Sequence, residues 1–144
     1  MNPSDLYTFI AAKPYAVIST IAVNGTPQSA LIGIAVTPDL EIIFDTLTTT
    51  RKVANLVANP TCSLVIGWDD EQTLQYEGTA YVPSGSDLAR YQDLYFARWP
   101  DGRTRLSWPG IAHILVCPTW IRYSDFNHQP PTIEEFHLPA DLAR

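Results

Sequence analysis

No stretch of this chain stays apolar or periodic long enough to give more than short strands and short helices, and that brevity limits the possible folds most. Tyr15 to Val23 is β-rich (Val17, Ile18, Thr20, Ile21, Val23) and runs into Asn24-Gly25, a strong hairpin signal. Pro27 to Val36 is the return strand, apolar enough to be buried on both faces. After a Pro38-Asp39 turn, Leu40 to Thr46 is a third strand, and three antiparallel strands in a row suggest a meander. Thr61 to Trp68 is a fourth, with Cys62, Leu64 and Ile66 on one face. Beyond the charged turn Asp69-Asp70-Glu71, Thr73 to Val82 alternates apolar and polar residues, and Gly78 inside it marks a bulge or a barrel corner. Ile111 to Cys117 and Thr119 to Phe126 are two strands, or one strand bent at Pro118. From Asn127 to Arg144 the prolines at 130, 131 and 139 argue for a tail lying on a surface.

The helices are fewer. Asn2 or Ser4 caps a first one that buries Leu6, Phe9 and Ile10 and ends at Pro14. Ser86 caps another, carrying Leu88, Tyr91, Leu94 and Tyr95. Trp99 to Arg103 reads as a turn and Trp108-Pro109-Gly110 as a loop. About seven strands with two or three helices in 144 residues describe one α+β domain over residues 1–144. It is mostly β, a small antiparallel barrel with peripheral helices. Such a barrel fills its interior with side chains, so a ligand would sit on its outer wall or at a dimer seam.

The remaining helix carries the chemistry. Thr46-Leu47-Thr48-Thr49-Thr50-Arg51-Lys52 is a strand end and a run of hydroxyls leading into a helix that Asn59-Pro60 closes. The threonines supply its N-cap, and Val53, Leu56 and Val57 form its apolar stripe. Arg51 and Lys52 stand in the first turn, where the helix dipole disfavours cations. Ala54, Asn55 and Leu56 offer no compensating acid three or four places on. A bound phosphate resolves the conflict, with hydroxyls and free N–H groups as donors; a solvated basic pair is the alternative. The formal charge of −6 argues against nucleic acid or an anionic membrane as partner, and no apolar run reaches the length of a span. The N-terminus lacks the basic-then-apolar pattern of a signal peptide, and Cys62 and Cys117 read as buried free thiols, so a cytoplasmic setting is expected. His113, His128 and His137 are scattered, and no metal site can be built from them.

In order, "FDTLTTTRKVANLVANPTCSLVIGW", a charged turn, "LQYEGTAYV", a helix and "PTWIRYSDF" resemble the FMN-binding split-barrel family of pyridoxamine 5'-phosphate oxidase, from about Lys13 to Asp125. The resemblance implies a homodimer with FMN at the subunit interface and a small-molecule substrate. It gives Thr50, Arg51 and Lys52 the flavin phosphate and counts Asp45 and Thr46, at the strand end before them, among the cofactor-binding residues. Ala30, Leu31, Ile32 and Gly33 would pass the isoalloxazine edge through their backbone, and Thr73 and Gln75 would come from the partner subunit. Trp108 or Trp120 would wall the flavin, although packing is the ordinary role of a tryptophan in a β protein. Asp45 and Glu77 are read as surface or hydrogen-bonded strand residues rather than general acids, and Arg98, Arg103 and Arg105 as a solvated basic group that a substrate phosphate could use.

Three departures limit what carries over. Ala30 stands where the oxidase has an arginine near the flavin phosphate, and Thr73 stands where the family has a flavin-contacting glutamine (with Gln75 two residues later on the same face). "HQPPTIEEFHLPADLAR" replaces the Arg-x-His-x-Arg-like end that binds substrate phosphate. Oxidase activity toward vitamin B6 phosphates is therefore not expected. A flavin-dependent oxidoreductase with another substrate is the leading reading. A deazaflavin-dependent reductase and a non-catalytic flavin- or haem-binding protein are the alternatives.

Overall fold

The computed structural model describes residues 1–138. Helix α1 (Pro3–Ala11) begins at Asn2, whose side-chain oxygen accepts the Asp5 N–H at 2.9 Å, while the Asp5 carboxylate accepts the Asn2 N–H at 2.9 Å. Then follow β1 (Tyr15–Ile21), β2 (Pro27–Gly33), β3 (Ala35–Val36), β4 (Ile42–Leu47) and α2 (Arg51–Ala58). The second half holds β5 (Thr61–Ile66), β6 (Gln72–Tyr81), α3 (Gly85–Arg98), a 3₁₀ helix (Pro100–Ser107), β7 (Ile111–Asp125) and β8 (Thr132–His137).

The strands form one antiparallel sheet in the order β2-β1-β5-β6-β7-β4-β3, with β8 added to β7. β2 and β3 stand at opposite ends of that order, yet the single residue Ile34 joins them. The sheet must curl until its ends meet. There β2 and β4 touch without forming a hydrogen-bonded ladder, so the barrel is split along that line. The fold is the split α+β barrel that the sequence suggested.

Inside, Ile18, Phe44, Leu64, Ile66, Leu74 and Tyr76 are essentially inaccessible. The Tyr76 hydroxyl lies 2.8 Å from the Leu40 carbonyl and 3.0 Å from the Val116 carbonyl, joining β6 to a turn and to β7. Leu40 needs that support, because it holds φ of 65°, a region that costs a branched side chain energy. Gly78 is a bulge, as its place in the strand implied: the β6–β7 register slips between Glu77 and Gly78, opposite Pro118. A Cβ there would lie 2.5 Å from the Cys117 carbonyl oxygen.

Several sequence expectations change. The strand expected over 27–36 breaks at Ile34, and β2 is half exposed, with Leu31 64% accessible. β4 pairs with β3 and β7, so the first strands are two hairpins on opposite sides of the split rather than a meander. Proximity in sequence favoured the simple meander; closure of the barrel overrides it. In α2 the buried residues are Asn55 and Leu56, while Val57 is 80% exposed. Helix α3 is capped at Ser84, not Ser86. Pro100–Ser107 is a 3₁₀ helix rather than a short turn, and β7 is one strand. Within the expected tail, Thr132–His137 is an edge strand on β7, with Arg122 reaching Glu135 at 3.4 Å. Pro139 to Arg144 lie outside the described residues.

Candidate functional site

Helix α2 has its N-cap at Thr50, but no side chain caps it. The Thr50 hydroxyl donates instead to the Leu47 carbonyl at 2.9 Å and sits 3.3 Å from the Thr46 hydroxyl. The main-chain N–H groups of the first turn, at Arg51, Lys52 and Val53, therefore have no helical acceptor and no cap. Neither Arg51 nor Lys52 forms an ion pair among the described residues. Arg51 is exposed; Lys52 is half-buried, and burial lowers its pKa.

These groups line an open groove of about 380 Å³. Thr49, Thr50, Arg51 and Lys52 form one wall, and Thr20, Gln28, Ser29 and Ala30 of the β1–β2 hairpin form the other. Asn55 ties the walls together: its side-chain amide donates to the Thr20 hydroxyl oxygen and to the Gln28 carbonyl oxygen, each at 2.9 Å. The groove opens where the sheet's hydrogen-bonded order runs out, beside the free edge of β2. The groove thus gathers unpaired N–H groups, hydroxyls and two cations, the donor set and charge that an anion requires.

Of the expected residues, Ala30, Thr50, Arg51 and Lys52 thus meet in one place. Thr46 touches the groove through Thr50. Leu31, Ile32 and Gly33 continue along β2 away from it, and Gly33 is overlaid by the Trp99 ring, 3.0 Å from where a Cβ would be. Trp108 is half exposed, in a loop tied to the threonine run by the bond from the Thr48 N–H to the Gly110 carbonyl at 2.8 Å. Thr73 and Gln75 are not in the groove of their own chain. They lie on β6, with β1 and β5 between them and β2, a separation of about 14 Å at the usual strand spacing. Gln75 lies instead on the outer wall, at the end of a cross-strand row Leu31–Val17–Val65–Gln75.

Asp45 has its carboxylate engaged elsewhere. It accepts from the Tyr95 hydroxyl at 3.1 Å and from Arg105 Nε at 2.7 Å, which pins α3 and the 3₁₀ helix to β4. Arg105 also reaches Asp101 at 2.7 Å, so this arginine is paired and not the solvated cation expected from sequence. The hydrogen bonds it donates to Asp101, then to Asp45, raise its pKa further. His113, opposite Asp45 on β7, is buried between the rings of Tyr95 and Phe96. Its Nε2 has no partner among the described residues, and burial lowers its pKa. Among the described residues no cluster of potential ligands could hold a metal ion.

Thr20, Gln28, Ser29 and Asn55 escaped the sequence reading. The hairpin signal held part of the answer, since a turn centred on Asn24 places Thr20 opposite Gln28. Asn55 gave no signal, because it occupies an inward position that periodicity assigns to an apolar side chain.

The family model of pyridoxamine 5'-phosphate oxidase matches residues 4–113, more than half of the chain. The chain belongs to the pyridoxamine 5'-phosphate oxidase family. No curated protein matches the sequence. A heme binding protein from Mycobacterium smegmatis superposes with a TM-score of 0.80 at 13% identity; the match covers 95% of this chain and 58% of that one. A pyridoxamine 5'-phosphate oxidase-related, FMN binding protein from Nostoc punctiforme gives 0.68 at 14% identity, covering 86% and 80%. General Stress Protein 26 from Bacillus anthracis gives 0.70 at 22%, covering 94% and 100%. At such identities these likenesses show a shared barrel. Within the family, this chain places Ala30, a residue with no charge to offer, in the groove wall. No helix among the described residues is long and apolar enough to cross a membrane.

Proposed function

We propose that this member of the oxidase family binds FMN with its phosphate in the Arg51–Lys52 groove, and that it is a homodimeric flavin-dependent oxidoreductase acting on a small molecule. The observation that carries the reading is the uncapped, doubly cationic first turn of α2 facing the split edge of the barrel. The groove fits a phosphate: Arg51 and Lys52 supply charge, and the first-turn N–H groups and the Thr49 hydroxyl supply donors. From there the free edge of β2, Ala30 to Gly33, offers unpaired backbone groups in an extended row suited to a flat heterocycle. When bound, the flavin supplies the hydride and electron chemistry. The chain's own residues then bind, orient and exclude water, and this is why no catalytic dyad need appear.

Support for the dimer comes from the outer wall. Leu31, Val65, Tyr15 and Trp68 are 64%, 40%, 44% and 52% exposed on or beside the row that ends in Gln75. A second copy laid on that face would bury them and bring its Thr73 and Gln75 toward the first copy's β2. The free thiols Cys62 and Cys117 suit a reducing, cytoplasmic setting.

The test is a visible spectrum of the protein, taken before and after incubation with excess FMN and desalting. Retention of about one flavin per chain is expected, and Arg51→Ala with Lys52→Ala should weaken FMN by about 3 kcal/mol or more as charge-assisted contacts are lost. Undiminished affinity in that double variant refutes the site. A Soret band would favour haem, against which stands the enclosure of His113 between two aromatic rings. Displacement of FMN by a deazaflavin would favour that cofactor. Turnover with NADH or NADPH would separate an enzyme from a carrier.

A further inference from the structure

We infer that Asn55 is a positioning residue that sets the hydrogen-bond polarity of the groove, forcing Thr20 and Gln28 to act there as donors and so selecting a phosphorylated ligand over its unphosphorylated form. The inference rests on the phosphate reading above and concerns residues that reading leaves unused.

An Asn side-chain nitrogen carries two hydrogens and accepts nothing. Asn55 is 6% exposed and spends both hydrogens on Thr20 Oγ1 and Gln28 Oε1. Thr20, 1% exposed, therefore receives at its oxygen and keeps its own hydrogen for another acceptor. Gln28, with its carbonyl oxygen engaged, is left with its NH₂ group, for which no protein acceptor occurs among the described residues. Both side chains line the groove opposite Arg51 and Lys52. One buried amide thus engages an acceptor lone pair on each of two groups that could donate or accept, and orients their hydrogens toward the groove. An anion with several acceptor oxygens satisfies them with charge-assisted bonds, whereas a neutral hydroxyl in the same place accepts more weakly and brings a hydrogen of its own that these donors cannot receive.

Asn55→Asp keeps the shape and reverses the polarity. Thr20 must then donate inward, and Gln28 must rotate so that its carbonyl oxygen faces the groove. Gln28→Glu makes the outward change alone, because one carboxylate oxygen still accepts from Asn55 while the other replaces the NH₂ group. The experiment is titration of FMN and of riboflavin, its dephosphorylated form, into wild type and both variants, with melting curves to certify folding. Wild type should prefer FMN strongly. Each variant should lower the FMN-to-riboflavin affinity ratio by about a hundredfold: Asn55→Asp removes two charge-assisted bonds, and Gln28→Glu removes one and sets a carboxylate against the phosphate. A ratio within about threefold of wild type in a folded variant overturns the inference. If Asn55→Asp fails to fold, Gln28→Glu, whose side chain is only half-buried, decides the matter. If wild type itself binds FMN and riboflavin alike, the phosphate reading fails, and the inference fails with it; a preference that survives in the variants overturns the role of Asn55 alone.

Discussion

Replacing Asp45 by alanine should lower the melting temperature sharply without loosening a ligand in the Arg51–Lys52 groove. The Asp45 carboxylate accepts two hydrogen bonds, from Tyr95 of α3 and Arg105 of the 3₁₀ helix, and its side chain and that of Arg105 are only 12% and 20% exposed. Hydrogen bonds to a charged group contribute about 1.5 kcal/mol each at the low end, which gives about 3 kcal/mol for the pair. Arg105 keeps Asp101, so the larger penalty for an abandoned buried charge does not apply. Unfolding entropy runs at about 2.1 cal/mol/K per residue, so 144 residues give about 0.3 kcal/mol/K and a fall of about 10 °C. Circular dichroism melts would read the stability, and an FMN titration well below the transition would read the groove. A fall of less than about 3 °C, or a folded variant that no longer binds FMN, would refute the reasoning and make Asp45 part of the site.

Gly78→Ala should destabilise by about 3 kcal/mol, since the new methyl group would meet the Cys117 carbonyl at 2.5 Å, and backbone cannot step aside as a side chain can; chemical denaturation would measure it. Burial pushes the Cys62 thiol up to about 12 and the Cys117 thiol up to about 11. Both should therefore resist a thiol reagent at roughly pH 8 in the native state and react at once in denaturant, because only the thiolate attacks. Since the folded chain holds these protons and the unfolded chain releases them above about pH 8.5, stability should fall as pH rises through that value. His113 works in the opposite direction. Burial lowers its pKa, so the unfolded chain takes up a proton that the fold refuses, and stability should decline as pH falls through about 6.5. Melting curves between roughly pH 7.5 and pH 5 should show a shallower decline in His113→Gln; equal slopes would assign the acid sensitivity elsewhere.

Local physics determined more of this protein than its low identity to solved structures would suggest. The Asn2 capping box, the Asn24-Gly25 hairpin, the apolar face of Cys62, Leu64 and Ile66 and the bulge at Gly78 depend on interactions within a few residues, or on a strand's own alternation, and sequence carries that information directly. So does the misplaced charge of Arg51 and Lys52 at a helix start, which points to the groove from the sequence alone. What sequence left open depends on closure. Only the curled sheet shows that β3 and β4 form the far side of the split, that Gln75 stands on the outer wall away from its own chain's groove, and that Asp45 is engaged by Tyr95 and Arg105, 50 and 60 residues away. Asn55 is the sharpest case. Its position in α2 belongs to the apolar phase, and its purpose becomes visible only when β1 and β2 bring Thr20 and Gln28 beneath it, because a hydrogen bond across 35 or 27 residues leaves no trace in local periodicity.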